Sequence, residues 1–522
     1  MKKNRLWMYT IIVVLLMPFT STAADFVPRR GCRVGEQNPH FTPRRAQIWQ
    51  GGENPYVGNR RQLLVLASFQ DKDFVDGRDA AMQTWNGIFN AEGYSEGEYV
   101  GSVHDYFLAQ SYELFNLTFD LVFVELPDVE WKYRSTAIDD EFSQYMVDDI
   151  VDVLMTQDID WSLYDWDGDA FVDQLLIIYA GEGMNSGGGS STIWPHQWWL
   201  SQHKNLDTDA PNDFRSYRTV TMGDKEFYVD CYCCVNEYVN YSGTRTTFGT
   251  ICHEYSHCFG LPDFYYGNSM VVKEWDIMDY GNYNEHGFRP CNYSAHERML
   301  MGWLTPVELT EPASITDMPA LCDEPVAYLI RNDGAENEFF IVENRQQRGW
   351  DESLPGSGIV VFHIDYIKDL WEGIGEYASS YVNGPNKKRY HIFPANNKTR
   401  TSLEGWGYPY VVTDSQGNTS VANDCLTNTS VPAATLNNAN ADGEKLMSKP
   451  ITQMSVSADG LASFAFMDDV TTGIVNAETI GSGITVPASR LEWFALDGRK
   501  LGGKPAAPGV YVHGGKKVVV LL

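Results

Sequence analysis

Two histidines four residues apart, His253 and His257, with Glu254 directly after the first, make up the most chemically capable stretch of this chain. Residues spaced four apart on a helix project from one face, so both imidazoles can reach one ion. Glu254 falls where it can hold a water beside that ion and take its proton. Gly260 can end the helix in a left-handed conformation and swing the chain back, which brings Asp263 to the same metal. Three protein ligands with a position left for water describe a catalytic zinc site. The alternative is a core helix whose histidines are satisfied internally. Either way a helix is expected, because Phe248, Ile251, Tyr255 and Phe259 recur at spacings of three and four and give an apolar stripe.

A second group of oxygen ligands precedes it. Asp165, Asp167 and Asp169 alternate along the chain, and Asp173 follows four residues later. Hard carboxylates at this density suit calcium. The stretch is not an EF-hand loop, since the twelfth position from Asp165 is Leu176 where a bidentate glutamate belongs. Its plain alternative is a solvated acidic turn leading into the apolar strand expected at 175–179.

The stretch 253–263 is similar to the metzincin pattern H-E-x-x-H-x-x-G-x-x-H, with aspartate in the third ligand position. Metzincins carry a methionine turn beneath the metal, and Met278 in residues 275–281 (WDIMDYG) resembles it. The aspartate narrows the resemblance to the immune inhibitor A family of secreted bacterial metallopeptidases. Residues 101–107 (GSVHDYF), 193–196 (IWPH), 301–304 (MGWL), 342–345 (VENR), 354–358 (LPGSG) and 361–365 (VFHID) extend it, so the similarity covers about residues 62–470. The resemblance implies an α+β fold: a metzincin-like catalytic domain with a twisted mixed sheet and an active-site helix, then a β-rich domain. It implies zinc held by His253, His257 and Asp263, with Glu254 as general base. It also favours structural calcium at the Asp165 turn. In some metzincins a tyrosine two residues after the turn methionine steadies the oxyanion of the tetrahedral intermediate; Tyr280 has that offset, with a packing tyrosine as the alternative. A competing zinc layout would take its third ligand from a second helix, with Glu274 or Glu285 available.

Composition and the chain ends set the setting. A hydrophobic content of 43% with 13% aromatics excludes a disordered chain, and 522 residues suffice for several domains. The basic head Lys2, Lys3 and Arg5, an apolar run to Thr20 and small residues at Ala23 and Ala24 read as a signal peptide over 1–24. No later stretch is long and apolar enough to span a bilayer. Removing the leader moves the net charge from −30 to −33, which argues against nucleic acid and anionic membranes as partners. Residues 25–61 read as a prosegment with three arginine pairs (29–30, 44–45 and 60–61) open to a processing protease. Cys32, alone among arginines, is a candidate latency switch whose thiolate would occupy the zinc until the prosegment is cut away, with a disulfide partner or an incidental thiol as the alternatives. The other eight cysteines of an exported chain are expected to pair as disulfides.

Residues 62–309 are then the catalytic domain and 310–468 a β-rich accessory domain, which either aligns substrate or stabilises. Residues 469–522 look like the C-terminal sorting module of the type IX secretion route, which would make an outer-membrane secretion apparatus a partner; the alternative is an ordinary small β module. The expected activity is that of a secreted or cell-surface zinc endopeptidase acting on protein or peptide substrates. The alternatives are a surface binding or adhesion protein on a protease scaffold, and a zinc amidohydrolase acting on non-protein amides. His196 is open between a cleft residue and a structural one.

Overall fold

The computed structural model describes residues 48–135, 142–208, 213–239, 244–245, 248–267, 269–373, 381–395, 411–413, 419–421 and 423–467, and within the C-terminal stretch 493–495, 500–501, 509–513 and 516–520. The leader over 1–24, Cys32 and the arginine pairs at 29–30 and 44–45 lie outside these residues. The chain divides into two compact units after residue 468.

The first unit is built on β1 (Gly58–Ser68), whose run from Leu63 to Ala67 is wholly buried. A continuous apolar strand of this kind belongs inside a parallel sheet covered on both faces. It lies between β2 (Phe115–Glu125) and β3 (Leu175–Glu182). Beyond β3 come β7 (Cys231–Val239) and the edge strand β4 (His196–Trp199), giving the order β2-β1-β3-β7-β4. The first four strands run parallel and β4 is antiparallel to β7. The hairpin β5 (Arg218–Met222) and β6 (Lys225–Val229) stands apart, and β8 (Thr244–Arg245) folds back on β7.

Helices α1 (Arg78–Asn90), α2 (Val103–Gln110) and α3 (Ser143–Leu154) cover this sheet. Helix α2 opens on a capping box: the Ser102 hydroxyl accepts from Asp105 N, and the Asp105 carboxylate accepts from Ser102 N. Helix α4 (Phe248–His257) is buried along its whole length, and α5 (Ala295–Leu300) follows behind a second capping box, Ser294 with Glu297.

The chain enters the described structure at Ile48, inside the stretch expected as a prosegment. Ile48 and Tyr56 are buried, Trp49 N donates to Leu300 O, and Trp303 Nε1 donates to Tyr56 O. The third arginine pair is part of β1, registered against Leu117 and Thr118 of β2, with Arg61 paired to Asp120.

Past α5 the chain forms strands. β9 (Val307–Glu308), β11 (Tyr328–Arg331), β12 (Glu338–Arg345), β13 (Gly358–Asp365) and β14 (Tyr390–Ile392) make one five-stranded sheet, with the short α6 (Lys368–Trp371) between the last two. β10 (Ala313–Met318), β17 (Ile451–Val456) and β18 (Ala462–Phe466) make a three-stranded sheet, and β15 (Val411–Thr413) pairs with β16 (Thr419–Val421). Side chains alternate across a strand, and here the alternation divides two cores. Phe340, Val342, Ile359 and Val361 face a core shared with the three-stranded sheet. Their neighbours Phe339, Ile341, Val360 and Phe362 join the core of the catalytic sheet and helices. The five-stranded sheet is therefore built into the catalytic core, with no break in packing at residue 309.

In the second unit β19 (Trp493–Ala495), β20 (Lys500–Leu501), β21 (Gly509–His513) and β22 (Lys516–Val520) form an antiparallel sheet in the order β20-β19-β21-β22.

The expected disulfides are a correction. None of the eight described cysteines is joined in a disulfide. Cys231, Cys233 and Cys234 on β7, Cys252 and Cys258 around α4, and Cys291 are all buried, and they fill space as small apolar residues. Cys234 Sγ lies 3.4 Å from His196 Nδ1.

Candidate metal centre

Helix α4 sits in an aromatic bed. Tyr255 and Phe259 contact each other and Phe107, and Phe259 also packs on Phe115 and Tyr56. Tyr255 is pinned further by its hydroxyl, which donates to Gln62 and accepts from Gln174. At its first turn α4 meets the 281–287 turn so closely that a Cβ on Gly249 would stand 2.0 Å from Asn282 O. The helix that carries the candidate ligands is thus held from several sides.

The end of α4 follows its local sequence. Gly260 has φ +90°, a conformation that favours glycine, and the chain reverses there. Asp263 returns to the histidines: its Oδ1 is 3.4 Å from His253 Nε2 and 3.3 Å from His257 Nε2. In a tetrahedral site the ligand–ligand edge is the bond length times about 1.63, so bonds of about 2.0–2.1 Å require edges of about 3.3–3.4 Å. Both measured separations match that figure.

The outer ring nitrogens are committed elsewhere. His253 Nδ1 is 2.7 Å from Ile277 O, and His257 Nδ1 is 2.7 Å from Leu261 O. A carbonyl can only accept, so each Nδ1 carries a proton, and each Nε2, facing Asp263, is the nitrogen left to bind a cation. His257 Nε2 and Asp263 Oδ1 are buried and make no hydrogen bond. Buried polar atoms are seldom left so. Two lone-pair nitrogens and a carboxylate converging without donors fit a divalent cation of the zinc type. Glu254 completes a group with His253 and His257 whose ligand atoms all lie within 4.8 Å of one another.

The charges agree. Burial disfavours protonation of His253, but the Asp263 carboxylate, with Glu254 near it, lifts its pKa to about 9. Burial opposes ionisation of Asp263, yet His257 and His253 hold its carboxyl below the usual range. The pocket thus favours a positive charge between these groups.

Met278 is fully buried in the segment beneath the ligands; its carbonyl accepts from Phe264 N, and the Ile277 carbonyl beside it carries the His253 contact. Tyr280 is half-buried, with its ring 5.3 Å from that of Tyr283. Glu274 and Glu285 are not in the group around His253, and Glu285 pairs with Arg289. His196 is wholly buried on β4, with ring contacts to Trp194 O and the Tyr232 hydroxyl, and acts as a structural histidine.

Asp165, Asp167 and Asp169 also cluster within 4.8 Å. Their oxygens accept backbone N–H groups of the same turn: Asp165 from Gly168, Asp169 and Ala170, and Asp169 from Phe171. Asp173 stands outside this group and is buried, with its carboxylate accepting from Trp166 N.

A helix bearing two imidazoles, reversed at a glycine to a carboxylate, is an arrangement found in metal-dependent peptidases. Residues 83–301 match the family model of the immune inhibitor A peptidase M6 catalytic domain. It is also similar to immune inhibitor A of Bacillus thuringiensis subsp. alesti, at 26% identity over 167 residues. That match covers 27% of this chain and 21% of the relative, so the chain aligns with about a fifth of the curated protein.

The sequence pointed to His253, His257, Asp263 and Glu254 as one group. It did not point to Ile277 O or Leu261 O, because a backbone carbonyl leaves no residue-type signal.

Proposed function

We propose that this protein is an exported zinc endopeptidase with a metzincin-like catalytic domain, its core beginning at Ile48, in which His253, His257 and Asp263 hold the metal and Glu254 is the general base. The observation that carries this reading is the pair of Nε2–Oδ1 separations at 3.3 and 3.4 Å, with both Nδ1 atoms already facing carbonyls.

A bound zinc would supply Lewis acidity to a peptide carbonyl and raise the acidity of water. The remaining work belongs to the chain. Glu254, next to the first ligand in a buried setting, takes the proton of the attacking water and later delivers it to the departing amine. Ile277 O and Leu261 O keep both imidazoles in the tautomer that presents Nε2. Tyr280 is proposed as a donor to the developing oxyanion, so Tyr280→Phe should lower kcat with little change in KM.

The remaining parts of the proposal have support from the sequence. They are a leader over 1–24, a prosegment with Cys32 as the thiolate that blocks the metal, a β-rich domain over 310–468, and a sorting module over 469–522 recognised by an outer-membrane secretion apparatus. Calcium at Asp165, Asp167, Asp169 and Asp173 is proposed from the spacing of these carboxylates in the sequence. An adhesion protein on a protease scaffold is the weaker reading, because Glu254 and all three ligands are present.

The test is hydrolysis of an unfolded protein such as denatured casein, before and after zinc is stripped and restored. Activity lost with zinc and regained on its return supports the proposal. Undiminished hydrolysis by zinc-free protein would refute it.

A further inference from the structure

The five-stranded sheet past α5 reaches two of the three proposed ligands through side chains of the 381–392 stretch. Tyr390, the first residue of β14, is wholly buried, and its hydroxyl donates to Asp276 Oδ2 at 2.6 Å. The other carboxylate oxygen of Asp276 accepts from Met278 N at 2.8 Å, and the Asp276 carbonyl accepts from Gly281 N. Both bonds fold the turn from which Ile277 presents its carbonyl to His253 Nδ1. One short chain of contacts thus links β14 to the first ligand.

The same tyrosine reaches the third ligand. Its ring stacks on Phe264 with centroids 3.8 Å apart and planes 24° apart, and Phe264 directly follows Asp263. Asn383, also buried, donates to Phe264 O at 2.7 Å and to Tyr390 O at 2.9 Å. Trp371 at the end of α6 closes the group, with its ring 5.3 Å from Phe264 and 5.8 Å from Tyr390. The backbone N–H of Phe264 donates to Met278 O, so the two routes meet at the methionine turn.

We infer that Tyr390 and Asn383 are positioning residues of the metal centre, and that the β-rich region completes the site by orienting His253 and Asp263. Neither side chain lies in the match to the peptidase catalytic domain, which ends at residue 301. Without Tyr390 and Asn383 the loop after Gly260 and the methionine turn keep their covalent connection but lose the outer wall that fixes their spacing. Partners at this remove from a metal typically change its affinity by about 10–100-fold when deleted.

The inference rests on the zinc reading above, and the experiment separates the two. Zinc affinity is measured by chelator competition, and the visible spectrum of the cobalt-substituted protein is recorded. The proteins are the full-length wild type, Tyr390→Phe, Asn383→Ser and His257→Ala. Tyr390→Phe keeps the stack on Phe264 and removes the hydroxyl that bonds Asp276 and Ser294; Asn383→Ser keeps the Tyr390 side chain and removes the amide that bonds the backbone of Phe264, Arg389 and Tyr390. The expected result is zinc held about tenfold more weakly by each, a changed cobalt spectrum, and metal-free protein that still unfolds cooperatively. A folded Tyr390→Phe with wild-type zinc affinity and cobalt spectrum overturns the inference, as does a lowered midpoint with both metal readouts unchanged. If Tyr390→Phe does not fold, Asn383→Ser decides by the same criteria. A wild type that binds no zinc, or His257→Ala binding it equally well, overturns the zinc reading and this inference with it.

Discussion

A chain that begins at Gln62 is expected to lose its fold, whereas one that begins at Ile48 keeps it. The difference lies in residues 48–61, which are part of the core. Ile48 and Tyr56 are each at most 4% exposed, and burial of side chains this size stabilises by roughly 1.5–3 kcal/mol apiece. Deleting Tyr56 also leaves buried Trp303 Nε1 without its acceptor, at a cost of about 1–3 kcal/mol. The contacts from Trp49 N to Leu300 O and from Asn54 Nδ2 to Met301 O add about 1 kcal/mol each. The total, about 6–11 kcal/mol, is comparable with the whole stability of a typical domain, roughly 5–15 kcal/mol. The deletion also removes the start of β1, from Gly58 to Arg61, which pairs with Phe115 to Thr118 of β2. The assay is urea unfolding of the two truncated chains followed by near-ultraviolet circular dichroism. Equal midpoints would refute the reasoning. A companion observation is that trypsin should spare the Arg60–Arg61 bond in folded protein, because it lies inside a paired strand.

Three further outcomes are expected. Gly249→Ala places a methyl group 2.0 Å from Asn282 O, a backbone atom that cannot rotate away, and should cost about 1–3 kcal/mol; an unchanged urea midpoint would contradict the close approach of α4 to that turn. His296 is wholly buried with neither ring nitrogen bonded, and burial lowers its pKa to about 3. Its folded pKa lies below the unfolded value near 6.5, so the unfolded chain takes up the proton first and stability is lost as pH falls below about 6.5. The stability of His296→Leu relative to wild type should therefore rise by roughly 3 kcal/mol between pH 7 and pH 4, and a difference constant with pH would sink the assignment. X-ray absorption on the zinc-loaded protein should give a nitrogen and oxygen shell at about 2.0–2.1 Å, as the ligand separations require; a shell beyond about 2.3 Å with six or more oxygens would point to a calcium-like site.

What could be read from the chain and what could not divides by sequence distance. His253, His257 and Glu254 are related by one turn of helix, and Gly260 carries its own signal in a positive φ, so this part of the site was visible as a pattern. The apolar stripe of Phe248, Ile251, Tyr255 and Phe259 was visible for the same reason, and all four are wholly buried. The supports were not visible. Tyr390 meets Asp276 across 114 residues and Asn383 meets Phe264 across 119, and nothing local marks either side chain as a partner. The cysteines show the opposite failure. The expectation of export suggested disulfides, but the burial of six cysteines in β7, α4 and the core around them fits packing residues. Arg60 and Arg61 looked like a processing site because a charged pair gives no sign that its backbone begins a buried strand.

The central claim is that Glu254 acts as a base at a zinc held by His253, His257 and Asp263. It is tested most directly by comparing wild type with Glu254→Gln, both verified to hold one zinc, on an unfolded protein substrate. Loss of the base should lower the rate by about 10²–10⁴-fold with the metal still bound. Cleavage by zinc-loaded Glu254→Gln at the wild-type rate would contradict the claim.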